Sequence, residues 1–87
     1  MTSPCHREIA LAFGAALRSA RNDAALSQEA LADRAGVDRT TPSLYERGLR
    51  QPTIATLIAL SRGLGCEPSS LLRMTVSNLQ DVKATES

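Results

Sequence analysis

Apolar residues recur at intervals of three and four along the first part of the chain, at Ile9, Phe13, Ala16, Leu17 and Ala20. That is the period of one helix face, and it predicts a helix from Arg7 to about Asn22 with Arg7, Arg18 and Arg21 mostly on the polar side. Ser27 is a favoured N-cap, and Leu31, Ala32 and Ala35 make the apolar stripe of a second helix, Gln28–Ala35. Gly36 ends it where a left-handed residue is needed, and Val37 follows as a plug for the core. A third helix begins almost at once and is expected from Asp38 to about Arg47, with Pro42 inside it. If Asp38 caps, Pro42 removes the first intrahelical hydrogen bond. If Thr41 caps, Pro42 is the first helical residue, where proline costs nothing. Of the two, the Asp38 start with a distorted first turn is the one expected.

Gly48 stops the third helix, and Leu49–Pro52 reads as a loop. Ile54, Leu57, Ile58, Leu60 and Leu64 predict a fourth helix from about Thr53 to Leu64, all five inward or nearly so, ended by Gly65. Pro68 suits the first position of a fifth helix, with Glu67 placing negative charge near its N-terminus. Its apolar face, Leu71, Leu72, Val76 and Leu79, reaches to about Leu79. No strand alternation or repeat is present. The expectation is an all-α, compact five-helix fold: residues 1–6 a flexible N-terminus, 7–80 one domain, 81–87 a flexible polar tail. The tight sequence of short helix, Gly, apolar residue and short helix at about 27–47 is its most informative local pattern.

At 87 residues, 43% hydrophobic and 22% charged, the chain fits a single small folded domain. Aromatics make up 2%, Phe13 and Tyr45, which nearly excludes the stacking platforms of single-strand and sheet-type RNA binders. A net charge of +1 excludes whole-molecule polybasic adhesion, so any anion binding is local. Cys5 and Cys66 have no ligand spacing and His6 is the lone histidine, so no metal or cofactor is expected and both thiols read as free, in a reducing compartment. The apolar stretch Ile9–Leu17, flanked by Glu8 and Arg18, does not read as a signal peptide, and it falls well short of the ~20 residues that span a bilayer. A soluble cytoplasmic protein with no membrane partner is expected. No nucleophile–base pair or small-molecule site emerges, and Asp33, Asp38 and Glu46 among the arginines read as a solvated charged face, so no enzyme is expected.

Arg39, Arg47 and Arg50 stand against one acid, Glu46, in the stretch 39–50, with Gln28, Thr40, Thr41, Ser43 and Gln51 around them. Amides, hydroxyls and guanidinium groups are the side chains that read base edges and bind phosphate oxygens. The run Leu26–Leu64 also resembles the helix-turn-helix domain of the Xre/Cro/C1 repressor family. Ser27–Glu29, Leu31–Ala32, Gly36–Val37, Glu46–Gly48 and Pro52 stand in register with the family pattern, and with helix one the likeness covers roughly residues 9–72.

The resemblance implies a sequence-specific regulator of transcription of the phage-repressor or restriction-modification-controller kind, with double-stranded DNA as its partner and helix three in the major groove. On that reading Arg39, Thr40, Ser43 and Leu44 face base edges, with Arg39 bidentate to a guanine and Leu44 near a thymine methyl. Ser27, Gln28, Thr41, Arg47, Arg50 and Gln51 contact phosphates. Glu46 is assigned to a scaffold salt bridge with Arg34 or Arg21, and Tyr45 to the core. Pro42 and Gly63 depart from the pattern: the first shifts the start of helix three and with it the aim of Thr40 and Thr41, the second weakens helix four by about 1 kcal/mol. A homodimer is expected through Leu72, Val76 and Leu79 on helix five. The competing reading is an antitoxin or other protein-binding helical module.

Overall fold

In the computed structural model, which describes residues 4–86 and only the backbone of 81–86, five helices follow one another: α1 His6–Asp23, α2 Gln28–Ala35, α3 Thr41–Glu46, α4 Ile54–Leu64 and α5 Pro68–Glu86. Helix α1 thus begins at His6, a residue expected in the flexible N-terminus, with the Cys5 sulfur accepting from the Glu8 N–H as its cap. The outermost residues of the expected flexible ends, 1–3 and 87, lie outside the described part. Helix α5 continues past Leu79, where the apolar pattern fades.

The core is built where the stripes meet. Phe13 and Leu17 of α1, Leu31 of α2, Tyr45 of α3, Leu60 of α4 and Leu71 of α5 form one buried cluster, with Ala20, Ala35, Val37, Leu57, Leu64 and Cys66 packed against it. The Phe13 and Tyr45 rings meet edge to face, centroids 5.9 Å apart, the arrangement their quadrupoles favour. Helix α1 packs along α5 and across α3, while α2 lies on α4. Pro42 is fully buried and supplies the apolar bulk expected of its position.

Two expectations for α4 are corrected. Leu60 is fully buried, but Ile54 and Ile58 are exposed. They sit four residues apart on a stripe that α2 and α5 do not cover, so the helix period placed the apolar residues on one helix but could not say which stripe faces inward. The connection from α1 to α2 is tight: Ala25 stands in the left-handed region at φ 58°, while the Leu26 N–H donates to the Arg21 carbonyl. This is a Schellman-type ending with alanine where glycine is the usual choice.

Candidate nucleic-acid interface

The α2–α3 unit is shaped by short-range hydrogen bonds. The Ser27 hydroxyl accepts from the Ala30 N–H at 3.0 Å, which starts α2, and Gly36 at φ 70° ends it. The next turn differs from expectation. Helix α3 starts at Thr41, not Asp38; Thr40 occupies the cap position without a side-chain cap bond, and Pro42 lies in the first turn. Asp38 instead closes the turn before the helix, its Oδ1 accepting from the Thr40 N–H at 2.9 Å and the Thr40 hydroxyl at 2.8 Å. Pro42 has no N–H to offer to the Asp38 carbonyl, so a helix capped by Asp38 would lack its first intrahelical bond, and α3 opens three residues later. The two bonds from Thr40 hold the Asp38 carboxyl below its ordinary pKa. Asp38→Ala is therefore expected to lower the melting temperature more than Thr41→Ala does, a comparison that thermal unfolding followed by circular dichroism makes directly.

At the far end of α3, Glu46 turns inward. Its side chain has no solvent exposure, which corrects the reading of this residue as part of a solvated face. Its carboxylate accepts from Arg21 Nε at 2.7 Å and Arg21 Nη2 at 3.0 Å, from Arg18 Nε at 3.2 Å, and from Gln28 Nε2 at 3.2 Å. Arg21 is the expected scaffold partner; the alternative, Arg34, donates instead to the Gly63 carbonyl at 3.4 Å. Burial alone would raise the Glu46 carboxyl, but the hydrogen bonds from Arg21, Gln28 and Arg18, with the charge of Arg21, outweigh it and hold the group below its usual pKa. One carboxylate thereby pins α1, α2 and α3 together. Two guanidinium groups meet a single carboxylate here, so a positive charge remains beside the start of α2.

The residues singled out from the sequence gather around this unit. Arg39 and Thr40 are exposed in the turn ahead of α3, and Ser43 and Leu44 are half-buried on α3 itself. Arg47 and Arg50 are exposed just after α3. Gln51 is exposed too, and its amide donates to the His6 carbonyl at 3.0 Å, which fastens this loop to the start of α1. Ser27 is committed to its cap as an acceptor and Gln28 to Glu46 as a donor, yet each keeps a further hydrogen to donate. Thr41 is half-buried in the first turn of α3. With Glu46 buried and paired, the surface from 39 to 50 presents the arginines without their one opposing acid.

On α5, Leu72 and Val76 are exposed, whereas Leu79 is half-buried and lines a groove with Leu11, Ala12 and Ala15 of α1. Nothing in the local pattern of the sequence pairs Arg18 or Glu29; in the structure Arg18 meets Glu46, and Glu29 pairs with Arg39 at 3.2 Å. Among the described residues no helix is long and apolar enough to cross a membrane, and no group of three His, Cys, Asp or Glu is placed to hold a metal ion.

Against known proteins, the helix-turn-helix family model matches residues 17–71, from the second half of α1 into α5. The control protein C.SmaI of Serratia marcescens is 38% identical over 77 residues, which cover 87% of this chain and 92% of that protein. The crystal structure of the restriction-modification controller protein C.AhdI from Aeromonas hydrophila superposes with a TM-score of 0.69 at 37% identity, covering 71% of this chain and 94% of that one. The clp gene regulator ClgR of Corynebacterium glutamicum superposes with a TM-score of 0.84 at 29% identity over 98% of this chain and 87% of its own.

Proposed function

The chain belongs to the Xre/Cro/C1-like helix-turn-helix family, and from that premise we propose that it is a small regulator of transcription that binds double-stranded DNA. The family is one of regulatory DNA-binding proteins, not enzymes. The observation that bears most on the reading is the inward turn of Glu46. It takes the one acid of the stretch 39–50 out of the surface that α3 offers to a groove, leaving Arg47 and Arg50 beside the Arg39–Glu29 pair, and its paired arginines add positive charge at the start of α2, where free N–H groups also suit a phosphate.

Within this reading Arg39, Thr40, Ser43 and Leu44 meet base edges, and Ser27, Gln28, Thr41, Arg47, Arg50 and Gln51 meet the backbone on either side. Arg39→Ala is expected to cost about 1–3 kcal/mol on the preferred duplex and to flatten discrimination at one base pair. Arg47→Ala and Arg50→Ala should weaken binding to all sequences alike and each reduce the salt slope by about one unit. Titrations of a selected duplex and a random duplex at several salt concentrations separate the two classes. Equal losses of specificity from all three variants would reject the assignment.

A single module offers few phosphate contacts, and operator affinities of ~10⁻⁸ M or better go with two modules, so the regulator acts as a homodimer. The exposed pair Leu72 and Val76, one helical turn apart on α5, supports a two-fold interface there. Leu79, facing the α1 groove, sits at its margin. Leu72→Glu and Val76→Glu are expected to yield folded monomers by sedimentation at micromolar concentration, with weaker binding to duplexes carrying two half-sites. A wild-type monomer, or a dimer indifferent to both charges, would count against this interface.

A further inference from the structure

Arg39 is not simply extended into solvent. Its Nε stands 3.2 Å from Glu29 Oε1 in an ion pair, although the two side chains are 79% and 68% exposed. Glu29 belongs to the first turn of α2 and Arg39 to the turn ahead of α3, so the pair spans the two halves of the helix-turn-helix. We propose that Glu29 is a positioning residue for base reading, holding the Arg39 guanidinium by charge from its Nε side so that the terminal Nη1 and Nη2 edge is presented to a guanine. The inference rests on the reading of Arg39 as a base-contacting residue.

The chemistry of the guanidinium supports this division of labour. Its donors lie in one plane in a rigid fork, and the Nε–H points sideways from the two Nη groups. A carboxylate beside Nε therefore draws the group to that side while leaving the end of the fork open. Guanine offers O6 and N7 as two adjacent acceptors in the major groove, a match for that end-on edge. In free protein an exposed pair of this kind adds little to stability. At a DNA surface water is displaced and the same pair strengthens, so its effect is felt in the complex more than in the fold. The Glu29 carboxylate also brings negative charge close to phosphates, which disfavours binding wherever Arg39 finds no guanine. Glu29 thus raises discrimination at the expense of general affinity, and those two effects have opposite signs in a binding experiment.

The test uses the full chain and a pool of duplexes with a randomised centre, from which the wild type selects its preferred sequence. Wild type, Glu29→Gln, Arg39→Ala and the double variant are then titrated with the selected duplex, its single-base substitutions and a random duplex. Glu29→Gln is expected to bind the random duplex more tightly while discrimination at the base pair read by Arg39 falls about tenfold, part of the value of a bidentate contact. In the Arg39→Ala background the same change should leave base preference unaltered. A Glu29→Gln variant whose affinity shifts equally on every duplex, or whose loss of discrimination persists without Arg39, overturns the proposal. If Arg39→Ala keeps every base preference, the base-reading role of Arg39 falls and that of Glu29 with it. Discrimination that depends on Arg39 but not on Glu29 overturns the role of Glu29 alone.

Discussion

Glu46→Ala is expected to destabilise the protein by about 3 kcal/mol, the low end of what breaking a buried ion pair costs. The loss falls chiefly on Arg21, whose side chain is only 14% exposed and would keep its charge without its carboxylate, while Arg18, 58% exposed, can turn to water. For a domain of this size that is a large share of a total of roughly 5–10 kcal/mol, so the melting point should drop by about 12–24 °C. The pH dependence follows from the lowered Glu46 carboxyl. The folded state resists protonation that the unfolded chain accepts near its usual value of about 4.3. The stabilisation is therefore complete above that value and is lost as pH falls through the depressed folded value. Glu46→Gln, which cannot titrate, should flatten this acid limb of the stability profile. Urea titrations of both chains between neutral and acidic pH provide the measurement; parallel acid limbs would show that other carboxylates dominate it.

Gly14→Ala is expected to be comparably damaging for a different reason. A Cβ at this position on α1 would overlap the Tyr45 carbonyl oxygen and stand 3.0 Å from that of Glu46. These are backbone atoms of α3, so no side chain can swing aside and the two helices must part. Overpacking of this kind costs about 3 kcal/mol, against the roughly 1 kcal/mol by which alanine favours a helix over glycine. Because the clash lies beside Glu46, the separation would also pull the carboxylate from Arg18 and Arg21. Gly63→Ala is the control: its Cβ would stand 3.2 Å from Ala35 N and Leu31 Cδ1, a crowding that small shifts relieve. Thermal melts should show Gly14→Ala far below wild type and Gly63→Ala close to it.

Most of the fold was legible because its signals are local. Ser27 caps the helix it precedes, Gly36 and Gly65 end helices in the left-handed conformation, and the helix period of α1 leads directly to Phe13 and Leu17 in the core. The start of α3 was not legible because Asp38 is chemically able both to cap a helix and to close a turn, and the proline four residues later decides for the turn. Ile54 and Ile58 satisfy the helix period as well as Leu57 does, and only the placement of α2 and α5 decides which stripe is covered. The Glu46 cluster was half legible. Arg21 is one of the two partners expected for it, but Arg18 and Gln28 join from positions 28 and 18 residues away, a distance over which the chain gives no pattern.

Ala25 has a practical consequence for all of these measurements. Its left-handed backbone carries a steric penalty of roughly 1–2 kcal/mol that glycine would not, offset in part by the greater freedom of glycine in the unfolded chain. The protein therefore sits below its own ceiling, and an exposed methyl group on a connecting turn is what keeps it there. Removing that methyl touches neither the core cluster nor any residue assigned to the groove. An Ala25→Gly parent would be a sturdier host in which weakened variants such as Glu46→Ala remain folded long enough for their DNA affinity to be read separately from their stability.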